Sequence, residues 1–263
     1  LYTMHDPKYN YLYETEPEPF MNNRKMFCPR GKMLGGSSSH NGMVHVRGNP
    51  MDFENWAQKD LKSWNYNNVL PYFKKSESIE GLDETYRNKS GPLKLSRSSE
   101  GNELSKVYLE AAEQAGYEIN NDMNGYKQEG FGLMDTTIYG GRRQSTSVTY
   151  LHPVINRRNL TVITNTIVNK VIIENNKAVG VECTKGKEIK KIHAENEVIV
   201  SAGAINSPQL LMLSGIGNSE ELKKLDISVQ HDLRGVGENL QDHLETYSVS
   251  YTHLRAHETV YNR

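Results

Sequence analysis

The sequence predicts a mixed fold, partly α/β and partly α+β, in which helices accompany a β-meander and a small antiparallel sheet. Apolar residues recur every three or four positions from Glu103 to Gly116, which is typical of an amphipathic helix. Short runs rich in β-branched residues between 160 and 200 indicate the meander. The last of these runs enters a small-residue turn and then an apolar stretch, the order of strand, turn and helix found in α/β units.

Two further helices are predicted before the one at Glu103. Asn49 can cap the first, because Pro50 suits a first helical turn and acidic residues follow near the positive end of the helix dipole. A second helix is expected from Asn65, with Pro71 either bending it or lying in its first turn. Residues 76–92 are polar and lack periodicity, which predicts an exposed crossing between domains.

The second half of the chain is predicted to be rich in strands. Glycines at 129–149 separate short β-favouring pieces, which indicates a sheet with turns. Asn175-Asn176 is a turn signal inside the meander, and Asn206 or Ser207 is expected to cap the last helix, with Pro208 in its first turn. Five candidate strands follow one another, the last of them expected to be buried: Leu160–Ile163, Lys170–Glu174, Ala178–Glu182, Glu188–His193 and Glu197–Val200.

Composition excludes several classes of protein. The chain has 263 residues and a net charge of −1, so no whole-chain field favours nucleic acid or an anionic membrane. No run of about 18 apolar residues occurs, and the two cysteines show no metal-ligand spacing, so we expect a soluble chain without a membrane span or a metal site. The sequence starts at Leu1 without an initiator Met or signal-peptide pattern, so localisation stays open, secretion of a longer protein included.

The most informative stretch is 28–49, where Gly35-Gly36 precedes Ser37-Ser38-Ser39-His40-Asn41-Gly42. Adjacent glycines let backbone amides approach a ligand without an intervening side chain. The flanking Leu34, Met43 and Val46 are expected in a core, which argues against a free linker. An ordinary buried turn is the alternative, because glycine and serine occur in loops of every kind.

Three strings together resemble the glucose-methanol-choline (GMC) oxidoreductases, and most closely their insect glucose-dehydrogenase-type members. Residues 28–49 resemble the first family signature, 201–217 the second, and 235–243 a segment that follows it. The resemblance covers about residues 1–245 and implies an FAD-binding GMC-type fold with part of an antiparallel-sheet substrate domain. It implies that 1–84 and 150–246 form a partial, discontinuous FAD-binding domain, that 85–149 belong to the substrate-binding domain, and that the tail 247–263 departs from the family.

Positions matching FAD contacts of the family follow from this resemblance. Ala202 and Gly203 also lie between a predicted strand and helix, where backbone N–H groups and a helix dipole attract a pyrophosphate, although a tight packing turn explains them equally well. The resemblance implies these cofactor-binding residues: Met33, Gly35, Gly36, Ser37, Ser38, His40, Asn41, Gly42, Met43, Val44, Val168, Ala202 and Gly203.

His40 departs from most of the family, which carries an aliphatic residue at this position. The departure resembles the choline-oxidase branch, where the matching histidine is covalently attached to the flavin ring. A neutral imidazole is a competent nucleophile near physiological pH. A hydrogen-bonded histidine beside a non-covalent flavin is the alternative.

The implied reaction is oxidation of an alcohol or a sugar, with hydride passing to flavin N5. The family's opening Gly-x-Gly-x-x-Gly does not occur in this sequence, and its catalytic histidine is expected beyond residue 263, so the chain looks truncated and we expect it to be inactive alone. The electron acceptor stays undetermined. The competing hypothesis is a non-catalytic truncated paralogue that acts as a binding module, whereas a nicotinamide dehydrogenase is disfavoured by the missing glycine fingerprint.

Overall fold

The chain divides into two compact units, Leu1–Thr161 and Val162–Arg263. The computed structural model describes residues 2–97, 103–243 and 245. The tail predicted at 247–263 lies outside the described residues. The discontinuous division into cofactor and substrate domains stays a prediction, because compactness does not assign a function to either unit.

The first three helices form where local signals predicted them. The side chain of Asn49 accepts a hydrogen bond from Met51 N at 2.9 Å, and that of Asn65 accepts one from Asn68 N at 2.9 Å, so both are N-caps. Pro71 lies inside its helix and not in the first turn. The α-helices of the described residues are α1 (Pro50–Gln58), α2 (Tyr66–Ser76), α3 (Glu103–Gln114), α4 (Gly203–Leu213) and α5 (Ser219–Lys224).

The predicted cap of α4 was wrong. The helix begins at Gly203, with Ala202 at the cap position, so Asn206, Ser207 and Pro208 lie within it. The hydroxyl of Ser207 instead accepts a hydrogen bond from the backbone N–H of Ala202 at 3.0 Å. A side chain in the second turn therefore satisfies the N–H group of the cap residue, one of the four N–H groups that the start of a helix leaves without an intrahelical partner.

Each of the strands described in the first unit is two residues long. β3 pairs antiparallel with β7, placing Val44 opposite Thr136 and His45 opposite Asp135, and β6 pairs with the same strand. The strands of this unit are β1 (Tyr13–Glu14), β2 (Phe27–Cys28), β3 (Val44–His45), β4 (Glu77–Ser78), β5 (Leu93–Lys94), β6 (Ser96–Arg97), β7 (Asp135–Thr136), β8 (Ile138–Tyr139) and β9 (Arg142–Arg143). β7, β8 and β9 confirm the sheet predicted at 129–149.

The second unit is built on the predicted meander. Asn175 and Asn176 adopt φ of +50° and +61° between its first two strands, as a tight hairpin turn requires. Ser214, just after α4, accepts a hydrogen bond through its hydroxyl from Val171 N at 2.8 Å and joins the helix end to the sheet. The strands are β10 (Ile167–Glu174), β11 (Lys177–Lys185), β12 (Glu188–His193), β13 (Ile216–Gly217) and β14 (His231–Asp232), with β10, β11 and β12 antiparallel in that order.

Two strand predictions were wrong. Leu160–Ile163 and Glu197–Val200 are not strands, and Ile199 is 77% exposed where a buried strand was expected. Within the described residues neither segment has a ladder partner. A β-favouring run becomes a strand only when another strand satisfies its backbone groups, which the run itself cannot supply.

The expected exposed crossing at 76–92 is exposed only in part. Glu77 and Arg87 are buried in this segment, and Glu77 begins β4. Charged residues without periodicity predict a solvated segment, whereas Glu77 and Arg87 are paired with each other inside the first unit. None of the helices in the described part of the chain has the length and apolar character needed to cross a membrane.

Candidate cofactor site

The glycine and serine loop of the first unit is tightly folded. Gly36–Ser39 forms one turn of 3-10 helix, preceded by Gly35 with φ of +87°, while Gly36 itself has φ of +54°. A Cβ on Gly31 would lie 2.3 Å from the carbonyl oxygen of Gly36, so two backbone segments touch there. A Cβ on Gly36 would meet nothing within 4 Å, which leaves one face of this backbone open to a ligand.

The serine hydroxyls of the loop bond within the protein. Ser37 Oγ accepts from Gly31 N at 3.1 Å, and Ser39 Oγ donates to Leu34 O at 2.8 Å. Ser38 Oγ donates to the carbonyl of Gly35 and accepts from the backbone N–H of Thr146 at 3.0 Å. These hydroxyls therefore shape the loop, and the predicted contacts of Ser37 and Ser38 with a cofactor stay predictions.

His40 follows this turn and is the residue of the loop with unsatisfied polar atoms. Both ring nitrogens are buried, and neither has a hydrogen-bond partner among the described residues. Leaving such a group unpaired costs about 1–3 kcal/mol. The hydrogen-bonded alternative therefore finds no protein partner in the described part of the chain, and the imidazole is available to a bound group.

Asn41 and Met43 continue the loop in a constrained conformation. Asn41 Oδ1 accepts from Met43 N at 3.2 Å, and Met43 adopts φ of +64°, which is uncommon for a residue with a side chain. Arg143, on β9, donates through Nη1 to Asn41 O at 2.8 Å and to Asn41 Oδ1 at 2.7 Å. Sequence reasoning missed Arg143, which is about a hundred residues away in the chain and belongs to no signature string.

The apolar residues around the loop are not in a core, contrary to the expectation. Leu34 and Val46 are 44% and 55% exposed, and Val44 is exposed as well. Val44 lies on β3, which is an edge strand of only two residues and so has little to pack against. The exposed apolar side chains and the open backbone at Gly36 and Gly42 are the kinds of group that contact a planar aromatic ring system.

A buried ionic cluster lies at the end of the signature segment. Arg47 Nη2 lies 2.8 Å from Glu77 Oε1, and Arg87 pairs with Glu77 at 2.8 Å and with Asp135 at 2.7 Å. Burial acts to raise the pKa of Glu77, but hydrogen bonds from His45 and Arg87 and the charges of both arginines outweigh it and lower that pKa to about 2. Burial likewise acts to lower the pKa of Arg87, but its carboxylate partners raise it.

Asn124 connects this cluster to the backbone of the signature segment. Its side chain accepts from Arg47 N at 2.7 Å and donates to His45 O at 3.0 Å and to Asp135 Oδ2 at 3.2 Å. All the polar atoms of this amide are thus used in one buried site. The cluster holds the backbone at the end of β3 in place, and no local pattern in the sequence predicts it.

The second unit carries the other predicted contacts. Gly203 has φ of +88° at the start of α4, and a Cβ there would meet nothing within 4 Å, so its backbone is open as Gly36 is. Ala202 is exposed beside it. Val168, on β10, is 39% exposed, so its side chain is not part of a core. Met33, in the first unit, contributes its carbonyl to a turn by accepting from Gly36 N at 2.9 Å.

No group of three or more potential metal ligands occurs within 2–97, 103–243 and 245. His193, His231 and His243 are exposed and stand in separate elements or loops. The chemistry available at the loop is therefore that of an open backbone, an unpaired imidazole and exposed apolar side chains. This donor set fits an aromatic cofactor.

Comparison with known proteins decides which cofactor this is. The family profile described as GMC oxidoreductase matches residues 9–245. The chain belongs to the GMC oxidoreductase family. Members of this family use FAD, so FAD is the cofactor that this family membership indicates.

Curated proteins similar to this chain include choline dehydrogenases. The chain is 50% identical over 242 residues to the mitochondrial choline dehydrogenase of Mus musculus, covering 92% of this chain and 41% of that protein. It is 50% identical over 240 residues to an oxygen-dependent choline dehydrogenase of Sinorhizobium fredii, covering 91% and 44%. The chain thus spans about two fifths of the length of these relatives, and they support the choline branch more than the glucose-dehydrogenase type.

Solved structures confirm the GMC-type fold. An FAD-dependent oxidoreductase from Chaetomium thermophilum matches with a TM-score of 0.85 at 28% identity, over 90% of this chain and 44% of that one. A formate oxidase of Aspergillus oryzae, whose structure concerns the effect of a mutation on FAD modification, matches with a TM-score of 0.81 at 28% identity, over 90% and 43%. Both neighbours are flavin proteins, as the predicted fold class requires.

Proposed function

We propose that this chain is the cofactor-holding part of an FAD-dependent enzyme that oxidises the CH–OH group of a small alcohol, with choline or a similar amino alcohol as the substrate. The observation that carries the proposal is the similarity to choline dehydrogenases, at 50% identity over more than nine tenths of the chain. The flavin accepts the hydride, and the protein positions the ring and the alcohol.

His40 and the open backbone of the loop support this role for the first unit. A buried imidazole without a partner is costly in the free protein, and a bound flavin would contribute contacts that offset this cost. We propose that Met33 and the loop 35–44 contact the flavin, and that Val168, Ala202 and Gly203 contact other parts of FAD. We also propose that His40 can be covalently attached to the flavin ring.

The chain holds no residue to which we assign the role of catalytic base. We therefore propose that the chain alone binds FAD without oxidising alcohols. Glucose oxidation is the less favoured activity, because the relatives that support the reaction are named for choline. The competing role, a non-catalytic binding module, requires no flavin.

A chimera tests the proposal. Residues 9–245 would replace the matching segment of the mouse choline dehydrogenase, and oxidation of choline and of glucose would be followed with an artificial electron acceptor. We expect choline turnover within about tenfold of the parent enzyme, a difference of about 1.4 kcal/mol in activation free energy. A chimera that binds FAD but prefers glucose would refute the substrate, and a folded chimera without FAD would refute the cofactor role.

A further inference from the structure

Arg143 contacts the loop on both sides of His40. Its Nη1 group donates to Ser38 O at 3.2 Å, two residues before the histidine, and to the carbonyl and the side-chain oxygen of Asn41, one residue after it. A single cationic group thus bridges the two ends of the short segment that carries the imidazole. Hydrogen bonds from a charged donor are roughly twice as strong as those between neutral groups.

Neighbouring contacts brace the loop through hydrogen bonds of uncharged groups. Thr146 Oγ1 donates to Gly35 O at 3.2 Å, and Thr137 N donates to Met43 O at 2.8 Å. Arg143 supplies the charged hydrogen bonds of this set. Its three acceptor atoms, on Ser38 and Asn41, lie in the chain between the two residues that the threonines contact. The segment 137–146 therefore acts as a support along the loop, with the guanidinium nearest to the residues that flank His40.

The loop needs such a support because its backbone is strained. Gly35 and Met43 both have positive φ, which glycine adopts freely but which is unfavourable for a residue with a side chain such as Met43. Asn41 Oδ1 receives hydrogen bonds from both Arg143 and Met43 N, so the guanidinium also holds the turn in which the methionine is strained. Without the guanidinium, Asn41 Oδ1 would keep the hydrogen bond from Met43 N but lose the shorter one from a charged donor, so we expect the turn to be held less firmly.

We propose that Arg143 is a positioning residue that holds His40 and Asn41 in the orientation required for contact with the flavin. It acts through these two residues and needs no contact with the cofactor itself. The inference rests on the proposed binding of FAD at this loop. Arg142, its neighbour on β9, is exposed and offers a matched control.

The test compares the wild-type chain with Arg143→Ala, Arg143→Lys and Arg142→Ala. FAD affinity would be measured by the quenching of flavin fluorescence, and hydrogen exchange of the peptide covering 35–47 would be followed without FAD. For Arg143→Ala we expect at least a tenfold loss of FAD affinity and faster exchange at the Met43 amide. The FAD affinity of Arg143→Lys should fall between those of the wild type and Arg143→Ala, because an ammonium cannot match the reach and planarity of a guanidinium. Arg142→Ala should behave as the wild type.

Added guanidinium ion separates positioning from general damage to the fold. At concentrations far below those that unfold proteins, it should restore FAD affinity to Arg143→Ala and leave Arg142→Ala unchanged. The proposal is overturned if Arg143→Ala binds FAD as the wild type does, or if the variant unfolds globally and guanidinium restores nothing. A wild-type chain that fails to bind FAD would overturn the proposed function and this inference together, whereas loss of the positioning role alone leaves wild-type binding intact.

Discussion

Arg47 and Glu77 form a buried ion pair, with Arg47 Nη2 2.8 Å from Glu77 Oε1. The pair joins the end of the signature segment to the first residue after α2. Arg87 approaches the same carboxylate at 2.8 Å, so Glu77 lies between two guanidinium groups. The position of β3, and through it that of the loop around His40, depends on this carboxylate.

Replacing Glu77 by Gln should strongly destabilise the first unit. The substitution keeps the size of the side chain but leaves two buried arginines short of a negative partner, and breaking such a cluster costs about 3–5 kcal/mol. Chemical denaturation would measure the loss. Glu80→Gln, three residues on and exposed, should change the free energy of unfolding by less than about 0.5 kcal/mol, and equal effects of the two substitutions would contradict the prediction.

The stability of the first unit should fall in acid because of the same residue. The pKa of Glu77 is lowered from its ordinary 4.5 to about 2 in the folded chain, so its contribution is present above pH 4.5 and is lost as the pH falls toward 2. A shift of this size corresponds to about 3 kcal/mol. Unfolding followed between pH 7 and pH 2 should show the decline in the wild type. A Glu77→Gln variant with the same slope as the wild type would contradict this origin.

Gly31 and Gly42 should respond differently to alanine. A Cβ at Gly31 would lie 2.3 Å from a backbone oxygen, so Gly31→Ala must displace the loop and should cost about 1–3 kcal/mol. A Cβ at Gly42 would meet nothing within 4 Å, so Gly42→Ala should leave the free energy of unfolding unchanged while weakening FAD binding. Thermal unfolding and flavin titration test both, and undiminished FAD affinity in Gly42→Ala would remove Gly42 from the proposed contacts.

His40→Leu should separate stability from cofactor binding. Removing two buried nitrogens without partners relieves a cost of about 1–3 kcal/mol, so the FAD-free chain should be at least as stable as the wild type. FAD affinity should fall, and flavin fluorescence that stays with the protein on a denaturing gel, if the wild type shows it, should disappear. His193→Asn, at an exposed position on β12, should change neither property. A marked loss of stability in His40→Leu would indicate a structural histidine.

Features that depend on neighbouring residues could be predicted from the sequence. Asn49 and Asn65 cap their helices because a side-chain oxygen two or three residues from an N–H group reaches it in any context. Asn175-Asn176 form the predicted turn because asparagine tolerates positive φ. His40 could be singled out because it lies within a signature string.

Features that depend on distant residues could not be predicted. Glu197–Val200 has the composition of a strand, but pairing needs a neighbour that the segment does not specify. Glu77 and Arg87 lie in a polar segment, which predicts exposure to solvent. Both are nevertheless buried, because they pair with each other and Arg87 also pairs with Asp135. Valine is a residue type that is often buried, but Val46 is exposed, because burial depends on what packs against a position and not on its residue type alone.

The sequence by itself determined the family, the loop that we propose to bind FAD, the first three helices and the hairpin turn of the meander, because each is encoded in short strings of residues. The tertiary structure alone decided that Arg143 holds the ends of the His40 segment and that Arg47, Glu77 and Asn124 fix its exit. Such contacts join residues far apart in the chain. Which of these contacts form depends on the free energy of burying charged groups and backbone groups together, and no single segment of the sequence determines that free energy.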